Sequence, residues 1–236
     1  MAQLRNVVVV PGLPGTEEVY QPILPYLRSY NVKIVRYPRG LDQRFSTVAK
    51  HIAGLVEFDR FHLIGDSYGG PVALELTKAI PDKVATVTLT GSFTSSIYPS
   101  FIRFLPLKYM LRAGVPKLYV KKGLINDPSD EKAQVVASSV NAVPSDVLAQ
   151  RFMNLALVEQ GFAPPVECPM LHVRGAGDGL VSKQHADEIS LKYPHAKSVE
   201  MDGPHLLFLM RPQQLSEILM TFFESLQERQ PDAVSA

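Results

Sequence analysis

A strand, a sharp turn and a helix follow one another without a break between Phe61 and Ile80. An apolar run leads into Gly65-Asp-Ser-Tyr-Gly-Gly70, and a helix-compatible run completes the stretch. A serine with a strand before it, a helix after it and a glycine two residues to either side is the arrangement of a nucleophile elbow. The turn is so sharp that side chains at those two positions would collide, and Gly65 and Gly69 have none. A plain glycine-rich surface turn is the alternative that this stretch alone leaves open.

Strands and helices alternate along most of the chain. Continuous apolar or β-branched runs predict strands at residues 7–10, 32–36, 61–64, 84–89, 170–174 and 197–201. Helical patterns lie at residues 17–30, 45–57, 71–80, 183–193 and 212–227. This alternation predicts the α/β class, with a doubly wound, mostly parallel sheet of about six strands.

The alternation stops between residues 92 and 160. Helical segments there are separated by prolines, and no strand-like run of comparable strength occurs. We therefore predict a core made of residues 1–91 and 161–236, with a helical insertion of residues 92–160 that we call the cap segment. The insertion is expected at the edge of the sheet where the carboxyl ends of the strands gather, which is where ligands bind in open α/β sheets.

Composition and charge exclude several classes of function. The 236 residues can bury one sizeable core, and 24 Lys and Arg against 23 Asp and Glu leave a net charge of +1, so nucleic acid is not an expected partner. The single cysteine, Cys168, excludes an internal disulfide, and no cluster of residues has the spacing of metal ligands. No apolar stretch is long enough to span a membrane, and the N-terminal apolar run is too short for a signal peptide. These features predict a cytoplasmic protein without a metal.

Two later strand ends supply an acid and a histidine. Asp178 lies in Gly175-Ala-Gly-Asp after one predicted strand, and His205 lies in Asp202-Gly-Pro-His after the next. Because parallel strands end at the same edge of a sheet, both side chains should project beside Ser67. A serine hydroxyl is a weak nucleophile unless a base takes its proton, and the base must be oriented by a third group. The order serine, acid, histidine suits that role in a fold of this kind.

These three motifs resemble the signatures of the α/β-hydrolase superfamily, and the resemblance extends over residues 7 to about 226. It implies a capped serine carboxylesterase or thioesterase in which Ser67 is the nucleophile. His205 would act as general base and then general acid, and Asp178 would orient His205. Relatives begin with two further strands, so a core of about six strands is expected here. The resemblance implies no cofactor.

The same resemblance implies an oxyanion hole, which is a pair of N–H donors aimed at the developing negative charge. One donor would be the amide of Tyr68, and the other the amide of Leu13 in the loop after the first strand. Pro14 has no N–H and cannot serve. Relatives usually carry a histidine where this chain has Pro11, which leaves open how this loop is braced.

The first half of the cap segment is strongly basic. Residues 92–126 contain six basic side chains and no acidic one, namely Arg103, Lys108, Arg112, Lys117, Lys121 and Lys122. Aromatic and aliphatic residues are interleaved with them. One interpretation is an amphipathic cap with a solvated basic face. The other is that Arg103, Lys108 and Arg112 contact an anionic partner, such as an acidic carrier protein or an anionic surface, while the apolar side lines an acyl pocket.

We therefore predict a cofactor-free serine hydrolase that cleaves a small-molecule carboxylic ester with a largely apolar acyl group through an acyl-enzyme intermediate. An acyl thioesterase is the nearest alternative. A second alternative, from another class, is a ligand receptor or signalling protein that keeps the pocket and does not turn over. The fold alone cannot separate these functions, because many chemistries share it.

Overall fold

The computed structural model of the protein describes residues 4–158 and 161–227. Within them, six strands form one sheet in the order β2-β1-β3-β4-β5-β6, and every neighbouring pair is parallel. The strands are β1 (Asn6–Val10), β2 (Asn31–Ile34), β3 (Phe61–Asp66), β4 (Val84–Thr90), β5 (Met170–Gly175) and β6 (Lys197–Met201). The sheet confirms the predicted α/β class and the predicted number of strands. The second strand is two residues shorter at its C-terminal end than the predicted range of 32–36.

The strand order reverses at β1, and this reversal creates a crevice. β1 lies between β2 and β3, and all later strands add on the side of β3. The register pairs Val10 with Gly65 and Asp66 with Thr90, so β1, β3 and β4 end side by side. Ligands bind outside the strand ends at such a reversal point in open α/β sheets. The loop after β1 and the turn after β3 both lie there.

Helices cover both faces of the sheet. The α-helices are α1 (Phe45–Leu55), α2 (Gly69–Ala79), α3 (Leu107–Met110), α4 (Lys117–Tyr119), α5 (Asp130–Asn141), α6 (Ser145–Ala156), α7 (Lys183–Lys192), α8 (Leu207–Met210) and α9 (Pro212–Gln227). Side chains alternate along β1: Val8 and Val10 pack with α1 and α2, whereas Val7 and Val9 pack with α8 and α9. All four valines are buried, which is why the strand reads as a continuous apolar run.

The first predicted helix differs from the observed one. Residues 17–30 were expected to be helical, and the chain forms a 3₁₀ helix at Glu18–Leu27. Pro22 and Pro25 lie inside it. Proline lacks the N–H that the α-helical ladder needs, so two prolines three residues apart prevent a regular α-helix. Its apolar face is still buried against the sheet through Val19, Tyr20 and Ile23.

Among its described residues, the chain between β4 and β5 contains helices and irregular segments but no strand. It contains α3 to α6, two short 3₁₀ helices (Ser100–Phe104 and Leu111–Ala113) and a π-helix at Val120–Ile125. The Ser129 side chain caps α5 by accepting a hydrogen bond from the Lys132 amide at 3.3 Å. The predicted cap boundary at residue 160 lies outside the described residues, as do residues 1–3 and 228–236 of the predicted core. Among the residues described, no helix has the length and apolar character that a membrane crossing requires.

Candidate active site

The turn after β3 has the strained geometry that its glycines suggest. Ser67 has a φ of 52°, in the left-handed region that a side chain rarely adopts. Its amide donates to the Thr90 carbonyl at 2.8 Å, and its carbonyl accepts from the Gly70 amide at 3.0 Å. A Cβ added at Gly65 would lie 2.7 Å from the Gly69 carbonyl oxygen, and a Cβ added at Gly69 would overlap the Val10 carbonyl oxygen. The close approach of β1, β3 and α2 therefore depends on both glycines.

Ser67, His205 and Asp178 lie together at the sheet edge and form a continuous chain of hydrogen bonds. Ser67 Oγ is 2.9 Å from His205 Nε2, and His205 Nδ1 is 2.8 Å from Asp178 Oδ2. All three residues are buried, with relative exposures of 8, 3 and 8 per cent. Ser67 follows β3, Asp178 lies on the turn after β5, and His205 follows β6. The arrangement can pass a proton from the serine hydroxyl to the imidazole.

The charges around His205 favour its protonated form. Burial lowers the pKa of His205, but the hydrogen bond to Asp178, the charge of Asp178 and the charge of Asp66 outweigh it, so the pKa is raised. Burial raises the pKa of Asp178, but the hydrogen bond to His205, the charge of His205 and two backbone hydrogen bonds together outweigh burial, so this pKa is lowered. Asp178 Oδ1 also accepts from the amides of Leu180 and Val181 at 2.9 and 2.8 Å. These amides fix the carboxylate that faces the imidazole.

Asp66 is a second buried carboxyl group, next to Ser67 in the chain. Its Oδ2 accepts from the Tyr20 hydroxyl at 2.7 Å, and its Oδ1 accepts from Thr90 Oγ1 at 2.8 Å. The Tyr20 hydroxyl in turn accepts from the Gly12 amide at 2.6 Å. Burial raises the pKa of Asp66, and the hydrogen bonds from Tyr20 and Thr90 together with His205 oppose that rise. Asp66 is thereby linked through Tyr20 to the loop after β1.

The loop after β1 places Leu13 at the same cavity as Ser67, Tyr68 and His205. Among the described residues, neither the Leu13 amide nor the Tyr68 amide donates a hydrogen bond to another protein group. No described protein group therefore competes for either N–H. Pro11, which stands where relatives usually have histidine, is held by a hydrogen bond from the Tyr37 hydroxyl to its carbonyl oxygen. Tyr20 and Tyr37 thus brace a loop whose bracing the sequence left open.

A partly open cavity of about 80 Å³ leads to Ser67. Its lining is mostly apolar, which suits an apolar acyl group. The part of its wall that comes from the cap segment consists of Ile97, Tyr98, Val115, Tyr119, Leu124, Val136, Val140, Phe152 and Leu155. The hydroxyls of Tyr98 and Tyr119 lie 3.3 Å apart and are the polar groups of this wall.

The two halves of the cap segment share this wall. The first half contributes Ile97, Tyr98, Val115, Tyr119 and Leu124, and the other four residues come from α5 and α6 of the second half. Phe101, Phe104 and Tyr109, which lie between the basic residues of the first half, are exposed and do not line the cavity. The first half therefore supplies part of the cavity wall, but not through these three aromatic side chains.

The three basic residues predicted to meet an anionic partner are exposed. Arg103 lies over the ring of Phe104 at 4.7 Å, and Arg112 lies over the ring of Tyr109 at 5.1 Å. Within the described part of the chain, no acidic side chain forms an ion pair with Arg103, Lys108 or Arg112. Their charges are therefore free to act on solvent or on a partner.

The sequence patterns did not point to four residues around the loop after β1, namely Tyr20, Gln43, Arg151 and Asn154. Arg151 carried a readable signal. In α6 the buried residues Val147, Leu148 and Leu155 lie four before, three before and four after Arg151, so the arginine falls on the apolar stripe of its helix. A charged residue on such a stripe must find buried polar partners. No comparable signal marks Tyr20, Gln43 or Asn154.

Comparison with known proteins supports the fold. No protein-family profile matches the sequence. The chain is 24% identical over 245 residues to the pimeloyl-[acyl-carrier protein] methyl ester esterase of Aeromonas hydrophila, covering 92% of this chain and 94% of that protein. A thermophilic esterase from Thermogutta terrifontis superposes with a TM-score of 0.80 at 17% identity, covering 96% of this chain and 92% of the other. The 2-hydroxy-6-oxo-6-phenylhexa-2,4-dienoate hydrolase of a Rhodococcus strain superposes with a TM-score of 0.71 at 20% identity, covering 94% and 91%. These likenesses show the α/β-hydrolase fold.

Proposed function

We propose that this protein of α/β-hydrolase fold is a cofactor-free serine hydrolase that cleaves a carboxylic ester with a largely apolar acyl group. The observation that carries the proposal is the buried chain of hydrogen bonds from Ser67 through His205 to Asp178 at the base of an apolar cavity. Their order along the chain, serine then aspartate then histidine, agrees with the order used in this fold. A cytoplasmic location remains a prediction from the sequence.

In the proposed reaction, Ser67 Oγ attacks the ester carbonyl carbon while His205 Nε2 takes the hydroxyl proton. The carbon–oxygen double bond becomes a single bond, and its negative charge is held by the Leu13 and Tyr68 amides. The tetrahedral intermediate collapses when the alcohol leaves with the proton from His205, which produces an acyl-enzyme on Ser67. Water, deprotonated by His205, then attacks the acyl carbon. The carboxylic acid leaves, and the proton returns to Ser67.

Asp178 is proposed to hold the imidazole in the tautomer that leaves Nε2 free to accept a proton. Its carboxylate faces Nδ1 at 2.8 Å and is itself fixed by two backbone amides. The negative charge of Asp178 also stabilises the imidazolium that forms in each transition state. Asp178 does not take the proton in this scheme.

An ester is preferred over a thioester as the proposed substrate because the curated relative is named as a methyl ester esterase. A thioester would use the same attack and the same oxyanion hole, so it stands as the second candidate. The receptor alternative is disfavoured because a buried, fully hydrogen-bonded triad beside two free amides is costly to keep without turnover.

A substrate panel tests this proposal. Acetyl, butyryl, octanoyl and dodecanoyl esters of p-nitrophenol are compared with the matching acyl thioesters, using the wild type and Ser67→Ala. We expect ester hydrolysis that favours acyl chains of intermediate length, and a loss of at least about 10³-fold in Ser67→Ala. Higher kcat/KM for every thioester would replace the ester proposal with the thioesterase. No turnover of either series would favour the receptor.

We propose further that Arg103, Lys108 and Arg112 contact an acidic carrier protein that presents the acyl ester. Two findings support this partner. Residues 92–126 hold six basic and no acidic side chains, and the Aeromonas hydrophila relative is named for a substrate carried on an acyl carrier protein. The exposed Phe101 and Phe104 would add apolar contacts beside these charges.

Salt dependence distinguishes this partner from a solvated basic face. Replacing Arg103, Lys108 and Arg112 by glutamine together should raise KM for a carrier-linked ester, most strongly at low ionic strength where charges are least screened. KM for a free p-nitrophenyl ester should not change, which makes it the internal control. An unchanged KM for the carrier-linked ester at all salt concentrations would refute the partner. Binding of anionic vesicles in preference to the carrier would assign this face to a lipid surface instead.

A further inference from the structure

Helix α6 of the cap segment places a buried arginine against the loop after β1, residues 11–15, which we call the oxyanion loop after its proposed role. Arg151 is 1% exposed. Its Nη1 donates to the carbonyl oxygens of Leu13 at 2.9 Å and Pro14 at 2.8 Å, and its Nε donates to Gln43 Oε1 at 2.9 Å. The guanidinium also lies 5.0 Å from the centre of the Tyr37 ring. Among the described residues, no carboxylate is within ion-pair distance of it.

The same helix contacts the second oxyanion residue one turn later. Asn154 Nδ2 donates to the Tyr68 hydroxyl at 2.9 Å and to the Gln43 carbonyl at 2.6 Å. The Tyr68 hydroxyl donates to that same Gln43 carbonyl at 2.8 Å. Both residues whose amides are proposed as oxyanion donors, Leu13 and Tyr68, are therefore hydrogen-bonded to α6.

Packing alone does not explain this arrangement. A buried charge without a carboxylate partner is costly, and an apolar side chain at this position would hold a cap helix against the core more cheaply. The planar guanidinium instead bridges two successive carbonyl groups, which fixes their orientation as well as their position. The Leu13 amide belongs to the peptide plane just before those carbonyls. Restricting the Leu13 and Pro14 carbonyls therefore restricts the direction in which the Leu13 N–H points.

The rest of the loop is already fixed from the other side. The Gly12 amide donates to the Tyr20 hydroxyl, and the Gly15 amide donates to the Gly12 carbonyl at 2.9 Å. Leu13 lies between this anchor and the carbonyls that Arg151 holds. A donor amide must point at the oxyanion before reaction, because reorientation during the reaction would cost catalytic power.

We infer that Arg151 and Asn154 are positioning residues for the oxyanion hole, so that α6 of the cap segment is a working part of the active site and not only a cover over it. The inference rests on the proposed serine hydrolase function. It extends that function, because it proposes that a helix outside the core of the fold sets the direction in which the Leu13 and Tyr68 N–H groups point.

The test compares Arg151→Met and Arg151→Lys with a matched control. Lys192→Met is the control, because Lys192 also donates to two backbone carbonyls, those of Thr94 and Phe162, but does not contact the oxyanion loop. We expect Arg151→Met to lower kcat for a p-nitrophenyl ester about 10- to 100-fold, the scale of a misplaced donor, with KM changed less than about threefold. Arg151→Lys keeps the charge, but its compact ammonium cannot reproduce the guanidinium fork, so kcat should fall about tenfold. Lys192→Met should keep the wild-type kcat.

A trifluoromethyl ketone with the same acyl chain separates positioning from general loosening. The ketone forms a hemiketal oxyanion on Ser67. The affinity of each Arg151 variant for the ketone should therefore fall by the same factor as its kcat, whereas its affinity for the acid product should stay at the wild-type value. Asn154→Ala should also lower the affinity for the ketone. If Arg151→Met does not fold, Arg151→Lys and Asn154→Ala decide the result.

Folded Arg151 variants with kcat and ketone affinity within twofold of the wild type would overturn the inference and leave the proposed function intact. Equal losses in product affinity and ketone affinity would also overturn it, since they indicate a generally damaged cavity. A wild type that neither hydrolyses esters nor binds the ketone would instead refute the proposed function and this inference with it.

Discussion

At the scale of single residues, the proposed hydrolysis depends on the protonation state of His205. The imidazole lies between Ser67 Oγ and the Asp178 carboxylate, and it is buried. Burial alone would lower the pKa of His205, but the hydrogen bond and charge of Asp178 raise it above the ordinary value of 6.5. A general base must be neutral to accept a proton. Activity should therefore disappear on the acid side at a pH set by the interaction between these two residues.

The first prediction concerns the acid limb of the pH profile. In the wild type, kcat/KM should fall as the pH drops through the raised pKa of His205, because the base becomes protonated. Asp178→Asn removes the charge that raises this pKa, so the limb should move to lower pH, and kcat should drop by about 10³- to 10⁴-fold because the imidazole tautomer is no longer fixed. Initial rates between pH 5 and 9 measure both effects.

Asp202→Asn is the matched control for that prediction. Asp202 lies three residues before His205, but its side chain is 83% exposed and pairs with Arg211 at 3.0 Å. Its substitution should leave both the limb and kcat as in the wild type. An Asp178→Asn variant whose acid limb stays at the wild-type pH would contradict the role of Asp178.

At the scale of elements, the site depends on how closely α2 approaches the end of β1. A Cβ at Gly69 would overlap the Val10 carbonyl and lie 2.6 Å from the Pro11 carbonyl, both of which are backbone groups that cannot rotate away. The contact holds the loop after β1 beside the turn that carries Ser67. The same glycine thus fixes both the packing of α2 and the distance between Ser67 and the loop after β1.

The second prediction is that Gly69→Ala destabilises the fold. The free energy of unfolding should fall by about 1–3 kcal/mol or more, because the end of β1 has to shift. Gly54→Ala is the control: Gly54 lies in α1, a Cβ there meets nothing within 4 Å, and alanine should stabilise the helix by up to about 1 kcal/mol. Urea unfolding of both variants gives the comparison. Equal stability of the two variants would contradict the role of Gly69.

The core elements could be predicted from the sequence because each has a strong local pattern. The buried strands read as apolar runs, since both of their faces are covered, and the turn around Ser67 is marked by glycines that no other residue can replace. The apolar pattern of the first helix indicated a helix but not its type, which is 3₁₀ because Pro22 and Pro25 break the α-helical ladder. The cap segment carried the least local information. Its exposed aromatic residues, such as Phe101 and Phe104, are of the same types as the residues that line the cavity, and only the packing of both halves of the segment shows which side chains lie near Ser67.

The residues of the candidate site also differ in whether the sequence could identify them. Ser67, Asp178 and His205 could be identified because each lies next to a glycine motif at a strand end. Tyr20, Gln43 and Asn154 could not, because a tyrosine or amide that braces a loop looks like any other polar residue until the fold brings it to its partner. Arg151 is the exception, since its place on a buried helical stripe is visible in the sequence.

At the scale of the whole molecule, two buried histidines make stability depend on pH. His62 on β3 stacks on Phe223 of α9 with ring centres 4.0 Å apart, and His172 lies on β5. Each is 2% exposed. Burial lowers the pKa of both histidines from 6.5 to about 4. Both are therefore neutral in the folded protein across the range in which the unfolded chain takes up protons.

The third prediction follows from the direction of that shift. Between pH 6.5 and pH 4 the unfolded state binds protons that the folded state does not, so the free energy of unfolding falls as the pH decreases, by up to about 3 kcal/mol for each histidine. Above pH 6.5 neither histidine makes the free energy of unfolding depend on pH. His62→Phe keeps the stacking on Phe223. It should reduce the slope of the free energy of unfolding against pH by the amount that corresponds to about one proton, as measured by urea unfolding at several pH values. Replacing the exposed His195 by glutamine should leave this slope unchanged. An unchanged slope in His62→Phe would contradict the assignment of the slope to His62.

The proposed function depends most directly on Ser67 as the nucleophile. Intact-mass measurement after treatment with a fluorophosphonate, combined with hydrolysis of p-nitrophenyl butyrate, examines that residue alone. We expect a single adduct that maps to Ser67 in the wild type and in Ser182→Ala, a control that removes an exposed serine, and no adduct in Ser67→Ala, whose turnover should be lower by at least about 10³-fold. An adduct or undiminished turnover in Ser67→Ala, or a wild type that does not react, would contradict the account.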